Sequence, residues 1–586
     1  MGLLDFFNTR VEEEENTEGI QGRLSSLLSL SKEEELIKLK NKWISDWESF
    51  EGKKKIEERQ KENEKYWLGD HFINSQKLTG NVEPIDNLVF ESLEEALPIY
   101  TRQIAEPNIK AGEDPQIKQI TKKVADKIYD IADVIRLRLK IKKVVRYWAL
   151  YHLGILKIGW SNAKNEIMVQ AVRPQDLILD PEAITDECEY QGDYIGHYRT
   201  DTADNLIGKF PKAKKEISGL VGKEEGTKIK YIEWWTEEFL FWTMKDIVLD
   251  KAKNPHWNYE EKTEMREVDE NGGEVLTPQI IKGVNHFSSP KMPFVFLSVF
   301  SLGKSPYDET GLIEQVIPLQ DKLNKRTRQI DKNADRTNGG IVVSAEYFSK
   351  EQTSEVADAL AEGDRAIRVP GDINRAYKRD MAPPLPQFIY QDMVDSRNEI
   401  RGIFGVTGLS AQGIKSEETV RGKILVRGQD TDRSSLIIDH IEQFYDYVFN
   451  WFVQMMLVYY KDQRPISGTQ GESISAEEMS FPMVVSVKEG SLIPKDRLTQ
   501  RNEAIDLWSK NALDPITLYE KLEFPDPQQA ARNLFLWLNN PISLFPDLAQ
   551  EQQIVQQQAL QVGVPQMGVP PQKQGRESLL SAVPIQ

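Results

Sequence analysis

Two stretches of this 586-residue chain approach the glycine-rich loop that cradles nucleotide phosphates, and each fails at a residue the chemistry needs. Ser298 to Ser305, SVFSLGKS, ends in Gly-Lys-Ser but has a serine where the first glycine belongs, and proline follows where a helix should start. Gly408 to Ser416, GLSAQGIKS, has both glycines, but Ile414 precedes Lys415 and displaces its ammonium from the phosphates. The histidines His71, His152, His197, His256, His286 and His440 show no HExxH or paired-ligand spacing, so packed or surface roles are expected of them. Asp430 and Asp432 form a D-x-D able to hold a divalent ion, yet Arg427 and Arg433 flank them on a helical stretch and favour ion pairs. Ser410 stands outside a GxSxG elbow. The expectation is a chain without metal, cofactor or catalytic site.

The charges, by contrast, are ordered by spacing. At about 100° per residue, Leu312, Val316, Leu319, Leu323, Ile330 and Ala334 fall in one arc, the mark of a buried helical stripe. Lys325, Arg328, Lys332 and Arg336 occupy the opposite arc, and Asp321, Asp331 and Asp335 neutralise them only in part. Such a helix would run about 45 Å at about 1.5 Å per residue. Asn338-Gly339-Gly340 ends it, and Pro318 should kink it or reset its start. Taken alone, this is a surface helix with a solvated basic face.

The length predicts three to five domains or subdomains. A net charge of -18 argues against a protein that coats nucleic acid, which needs a cationic footprint, but not against one past which DNA slides. A single cysteine, Cys188, excludes an internal disulfide framework and points to a reducing compartment such as a cytoplasm. The start, MGLLDFFNTRVEEEEN, lacks the features of a secretory signal and of a myristoylation site. The most apolar run, Trp451 to Tyr460, is too short to span a membrane.

These features need an α+β scaffold, predominantly helical. Ser31 to Glu34 reads as a capping box for a helix with Leu36, Leu39, Trp43, Trp47 and Phe50 on one face. Further helices are predicted over 87–101 and 116–153, then a hairpin of 154–160 with 166–172, strands at 190–198 and 228–249, and an apolar run from 293 to 299. After the basic helix come a strand (341–348), a helix (351–362), a strand (365–369) and a proline-rich exit at Pro383, Pro384 and Pro386, an insert whose chain should leave near its entry. A second helix over 387–404 would pack through Phe388, Met393 or Val394, Ile400 and Phe404. A Gly-rich loop follows, then a long helix over 416–461 with Ile437, Ile441, Phe444, Val448, Phe452 and Met455 in one stripe. A strand at 483–487 and helices at 495–510, 515–522 and 527–539 complete the folded part; beyond 551 the composition is that of a disordered Gln/Pro-rich tail.

Several phrases along this order resemble the portal proteins, or head-to-tail connectors, of tailed double-stranded DNA bacteriophages. They are Tyr66-Trp67-Leu68-Gly69, Val172-Arg173-Pro174-Gln175-Asp176 with Leu179-Asp180-Pro181, Asn254 to Trp257, Pro293 to Phe296, Ile317 to Asn324, Glu418 to Gly422 with Gln429 and Arg433, and Ser491 to Asp496. The resemblance implies an N-terminal arm (1–30), a wing (31–307), a first stem helix (308–340), a clip (341–386), a second stem helix (387–404), a channel loop (405–417), a long wing helix with its connection (418–480), a C-terminal wing or crown (481–550) and the tail (551–586). It implies a homo-oligomeric ring, usually a dodecamer, at one capsid vertex, assembled in the host cytoplasm. DNA would be packaged and ejected through it without sequence specificity. Terminase large subunit would dock first and head-completion or tail adaptor proteins later, beside the major capsid and scaffold proteins, with no membrane partner. Lys325, Arg328, Lys332, Arg336, Gly408, Ser410, Gln412, Lys415 and Arg421 become candidates to face DNA. The stem cations have a second candidate duty, pairing with a neighbouring subunit's acids. Glu346, Tyr347, Glu351, Glu355, Asp358 and Glu362 become candidates for clip docking. The alternatives are a DNA-packaging or DNA-processing enzyme, against which the failed motifs speak, and a channel-less minor capsid or scaffold protein.

Overall fold

The computed structural model describes residues 33–71, 85–112, 114–162, 164–185, 188–221, 228–256, 260–268, 274–282, 286–287, 289–307, 310–337, 340–362, 371–380, 384–406, 420–467, 471–479, 481–488, 490–492 and 497–539. The fold is α+β, in two units, residues 1–494 and 495–586. The predicted arm and tail, and Ser31 of the capping box, lie outside the described residues.

In the first unit, α1 (Glu33–Ser49) begins with three glutamates, which suit the positive end of a helix dipole, and buries Leu36, Trp43 and Trp47. It is followed by α2 (Glu51–Leu68), which Gly69 ends in the left-handed conformation (φ 82°). This helix has no counterpart in the predicted elements because its buried positions are Gln60 and Asn63, polar residues that a hydrophobic period passes over. The Asn87 side chain caps α3 (Leu88–Tyr100), accepting from the Phe90 N–H at 3.1 Å. After β1 (Pro107–Lys110), the single helix predicted over 116–153 is instead two, α4 (Pro115–Val134) and α5 (Leu137–Tyr151). Arg136 between them takes φ 53°, while the apolar period runs on through the break and conceals it.

Next, β2 (Gly154–Ser161) and β3 (Glu166–Val172) form the expected hairpin, with Ile155 opposite Val172. A meander follows: β4 (Leu177–Leu179), β5 (Tyr194–Thr202), β6 (Lys228–Thr236), β7 (Phe239–Met244) and β8 (Ile247–Lys253), antiparallel in that order. Between β5 and β6 lie α6 (Ala203–Lys209) and α7 (Lys214–Val221). Beyond the meander, β9 (Glu260–Val268) pairs with β10 (Glu274–Lys282). The charged β9 sequence, and Pro278 within β10, hide this hairpin from a search for apolar alternation. The run from 293 becomes β11 (Phe294–Leu297), beside β2.

The predicted basic helix is α8 (Leu312–Thr337), which continues through Pro318 without resetting its start. The insert holds β12 (Gly340–Val343), α9 (Gln352–Glu362), α10 (Ile373–Ala376) and β13 (Tyr377–Asp380). The strand predicted over 341–348 stops at Val343, and that over 365–369 falls outside the described residues; the observed partner of β12 is β13, with Gly340 opposite Asp380. The insert's chain therefore returns beside its entry. Then come α11 (Phe388–Ile403) and α12 (Val420–Tyr459). The single stripe predicted for α12 is too narrow: Ile438, Tyr445, Phe449, Trp451, Val453 and Met456 are buried as well, and from Trp451 to Leu457 the helix is enclosed on all sides. Last are β14 (Arg464–Pro465), β15 (Ser473–Ile474) and β16 (Val484–Val487), the last paired with β1. One core joins α3, α4 and α5 with β2, β3 and α12. Another lies under α1 against the meander, where Trp43 stacks on Tyr194 at 4.5 Å.

The second unit contains α13 (Arg497–Ser509), α14 (Pro515–Lys521) and α15 (Pro527–Asn539); Asp514 caps α14.

Candidate nucleic-acid interface

The first turns of α8 are set by polar contacts as much as by its stripe. Leu312, Val316 and Leu323 are buried as predicted, but Leu319 and Ile330 are half-buried and Ala334 is exposed. Ile313, Gln320 and Asn324 take their places against the core. Gln320 donates to the Asp86 carbonyl at 2.7 Å and accepts from the Leu88 N–H at 3.2 Å; Asn324 lies 3.0 Å from His71 Nδ1. Glu314 sits 3.0 Å from the buried His152 ring. The stripe was legible in spacing, whereas these amides and this acid read as solvent-facing.

Past Asn324 the core ends and α11 accompanies α8. Lys322 Nζ and Arg326 Nε bind the Asp392 carboxylate at 2.5 and 2.7 Å, and their hydrogen bonds hold its pKa below the usual carboxylate value. These two cations fell outside the predicted column because they lie on its flank. On α11, Ile389, Ser396 and Ile400 are buried, with Phe404 just beyond; Met393 is half-buried. Phe388 and Val394, predicted to pack, are 60% and 45% exposed, since the α8-facing side is taken by Asp392. Arg397 pairs with Asp86, and Arg401 with Glu91 at 2.6 Å. The Tyr100 hydroxyl donates to the Phe404 carbonyl at 2.7 Å. Thus α11 is tied to α8 on one side and to the α3 segment on the other.

The basic column itself is divided. Lys325 and Lys332 are exposed, on the arc opposite the buried stripe, and have no partner among the described residues. Arg328 is half-buried and turns its Nε toward the Asn324 carbonyl at 3.4 Å, so it leaves the column. Asp321, one of the presumed neutralising acids, accepts from the Tyr66 hydroxyl at 2.7 Å instead. The Arg336 and Arg421 side chains, and the loop residues Gly408, Ser410, Gln412 and Lys415, lie outside the described residues. In the insert, Glu346, Glu351, Glu355 and Asp358 are exposed, while Glu362 lies outside the described side chains. Tyr347 is half-buried and packs against the small core of Phe348, Val356 and Ala376.

Buried charge occurs elsewhere in the first unit, between the β11–β2–β3 sheet and the meander. Lys157 on β2 meets Glu233 on β6 at 2.6 Å; Trp235 Nε1 donates to the same oxygen at 2.7 Å, and His197 Nδ1 lies 3.4 Å from Lys157 Nζ. Burial opposes the Glu233 charge, but the Lys157 ammonium outweighs it and holds this carboxyl at about 2. Burial pushes His197 down to about 3, and the Lys157 charge adds to that. Among the described residues, no group of three or more His, Cys, Asp and Glu could hold a metal ion, and no helix is long and apolar enough to cross a membrane.

No protein-family model and no curated protein matches the chain. Among solved structures, it is similar to a chain from the neck of an empty gene transfer agent (GTA) particle, at 10% identity over 75% of this chain and 91% of that one, with a TM-score of 0.37. It is also similar to a chain from the virion of a native GTA particle, at 9% identity over 75% of this chain and 90% of that one, with a TM-score of 0.36.

Proposed function

We propose that this chain is the portal subunit of a tailed-phage-type particle, a ring at one capsid vertex through which double-stranded DNA is packaged and ejected. The observation that carries this reading is the pairing of α8 with α11 around an insert closed by β12 and β13. Two helices that leave a core together, joined by a small α/β module whose chain returns to its entry, are the parts a stem and clip require. α8 and α11 would build the ring wall, and the exposed insert acids, Glu346, Glu351, Glu355 and Asp358, would offer a dock for the packaging terminase and then for tail adaptors.

Lys325 and Lys332 would present two cationic rings to the channel. A conduit must hold DNA without trapping it, and a few cations on a chain with a net charge of -18 meet that need, because phosphate affinity scales with the number of neutralising contacts. Lys325→Glu with Lys332→Glu should leave monomer folding and ring assembly intact and reduce the fraction of DNA-filled heads severalfold in a packaging assay. Loss of rings in that variant would place the two lysines in the subunit interface; normal filling with intact rings would remove them from the channel.

A further inference from the structure

Between Asn254 and Lys291 the chain makes an excursion that contains β9 and β10, and its two ends are closed on each other and on α12. The Asn254 amide lies 3.0 Å from the Lys291 carbonyl and 2.9 Å from the Glu237 carbonyl. His256 and Phe287 both meet the Trp451 ring edge-on, at 4.9 and 4.8 Å. Gln454, fully buried on α12, spans both ends: its Oε1 accepts from the His286 N–H at 2.7 Å, and its Nε2 lies 3.4 Å from His256 Nδ1. Because Oε1 is taken, the amide is fixed with its NH2 toward His256, whose Nδ1 must carry a lone pair. His286 Nε2 is 2.6 Å from Asn450 Oδ1, and the Asn450 amide nitrogen is committed to the Asp446 and Val485 carbonyls. The His256 ring is therefore held as the neutral imidazole with its lone pair on Nδ1, while His286 donates from Nε2.

We propose that His256, Gln454 and His286 form a proton-sensitive clasp that holds the base of the β9–β10 excursion on α12 and opens on acidification. A proton added at His256 Nδ1 meets the Gln454 NH2 in a site 1% exposed, and the amide cannot turn its oxygen there while Oε1 accepts from the His286 N–H. Burial places the His256 pKa at about 3, and burial with the Lys291 charge lowers that of His286. Both histidines therefore favour the closed state above about pH 6.5, their ordinary pKa, and oppose it progressively below that value. Among the described residues, the other charged residues beside the clasp are Lys291 (paired with Glu189), Asp446, whose carbonyl binds Asn450, and Glu237 and Glu238, whose backbones hold Asn254. Burial raises the pKa of these three acids, so they take up protons in the folded state and act with the opposite sign.

Hydrogen exchange of the full chain, corrected for intrinsic rates, tests this at the His256 and His286 amides. Between pH 7.5 and 5.5 the release of His256 from about 3 to its ordinary pKa raises the opening constant about tenfold, so exchange at the two ends should rise about tenfold, with α1 and α5 unchanged. His256→Gln should remove most of that rise. Gln454→Glu, which offers a carboxylate to a protonated His256, should reduce it as well. Unchanged exchange in the natural chain overturns the proposal, as does a full rise that persists in either variant; the natural chain alone decides should a variant not fold.

Discussion

Gly154, the first residue of β2, has room for no other side chain: a Cβ there would stand 2.7 Å from the Val144 carbonyl oxygen and 3.2 Å from the Leu297 side chain. Gly154→Ala should therefore lower stability by about 1–3 kcal/mol, read as a fall in the thermal midpoint, because a backbone carbonyl cannot step aside. At the Lys157–Glu233 pair, Glu233→Gln leaves a buried ammonium without its counter-charge, and about 3–5 kcal/mol should be lost. The pH signs follow from the shifts. Glu233, held at about 2, contributes stability that is full above its ordinary value of 4.5 and lost as pH falls toward 2. His197, at about 3, contributes above 6.5 and loses its contribution earlier on the way down. The thermal midpoint should thus decline from pH 6.5, and Glu233→Gln should remove only the part of the decline below about pH 4.5. None of this was legible in sequence. A lysine in a strand and a histidine in the next read as surface residues until the sheets face each other. The histidines at 152, 197 and 256 are buried, in keeping with the packed role expected of them, and His286 is half-buried.

At the scale of elements, residues with a strong period read correctly and those with a mixed one did not. The α8 stripe, the β2–β3 hairpin and the helices of the second unit were all within a few residues of their observed bounds, because apolar spacing alone specifies them. α2 escaped because its buried side chains are amides, and the break at Arg136 escaped because no glycine or proline marks it. The candidate site was half visible. Lys325 and Lys332 stand where spacing put them, but the Asp392 clasp with Lys322 and Arg326 joins two helices that are distant in sequence. Asp392→Asn should loosen α11 from α8, seen as faster hydrogen exchange over 388–396, while α3 and its contacts to Arg397 and Arg401 keep the far end of α11 in place.

At the scale of the whole molecule, the acidic balance and the two-helix pair with its closed insert have to be explained together. A ring places every copy's Lys325 and Lys332 at the same two heights around a common axis, and a heterologous contact that closes produces such a ring. In the proposed ring, DNA would pass a mostly repulsive wall with two weakly attractive levels, and its retention should weaken as salt rises through screening. The measurement that tests this most directly is cryo-electron microscopy of the purified full chain. Closed rings with a central opening wide enough for duplex DNA, with α8 at the wall and Lys325 and Lys332 turned to the opening, are the predicted result. Monomers, or rings whose α8 lies on the outer rim away from the opening, would contradict it.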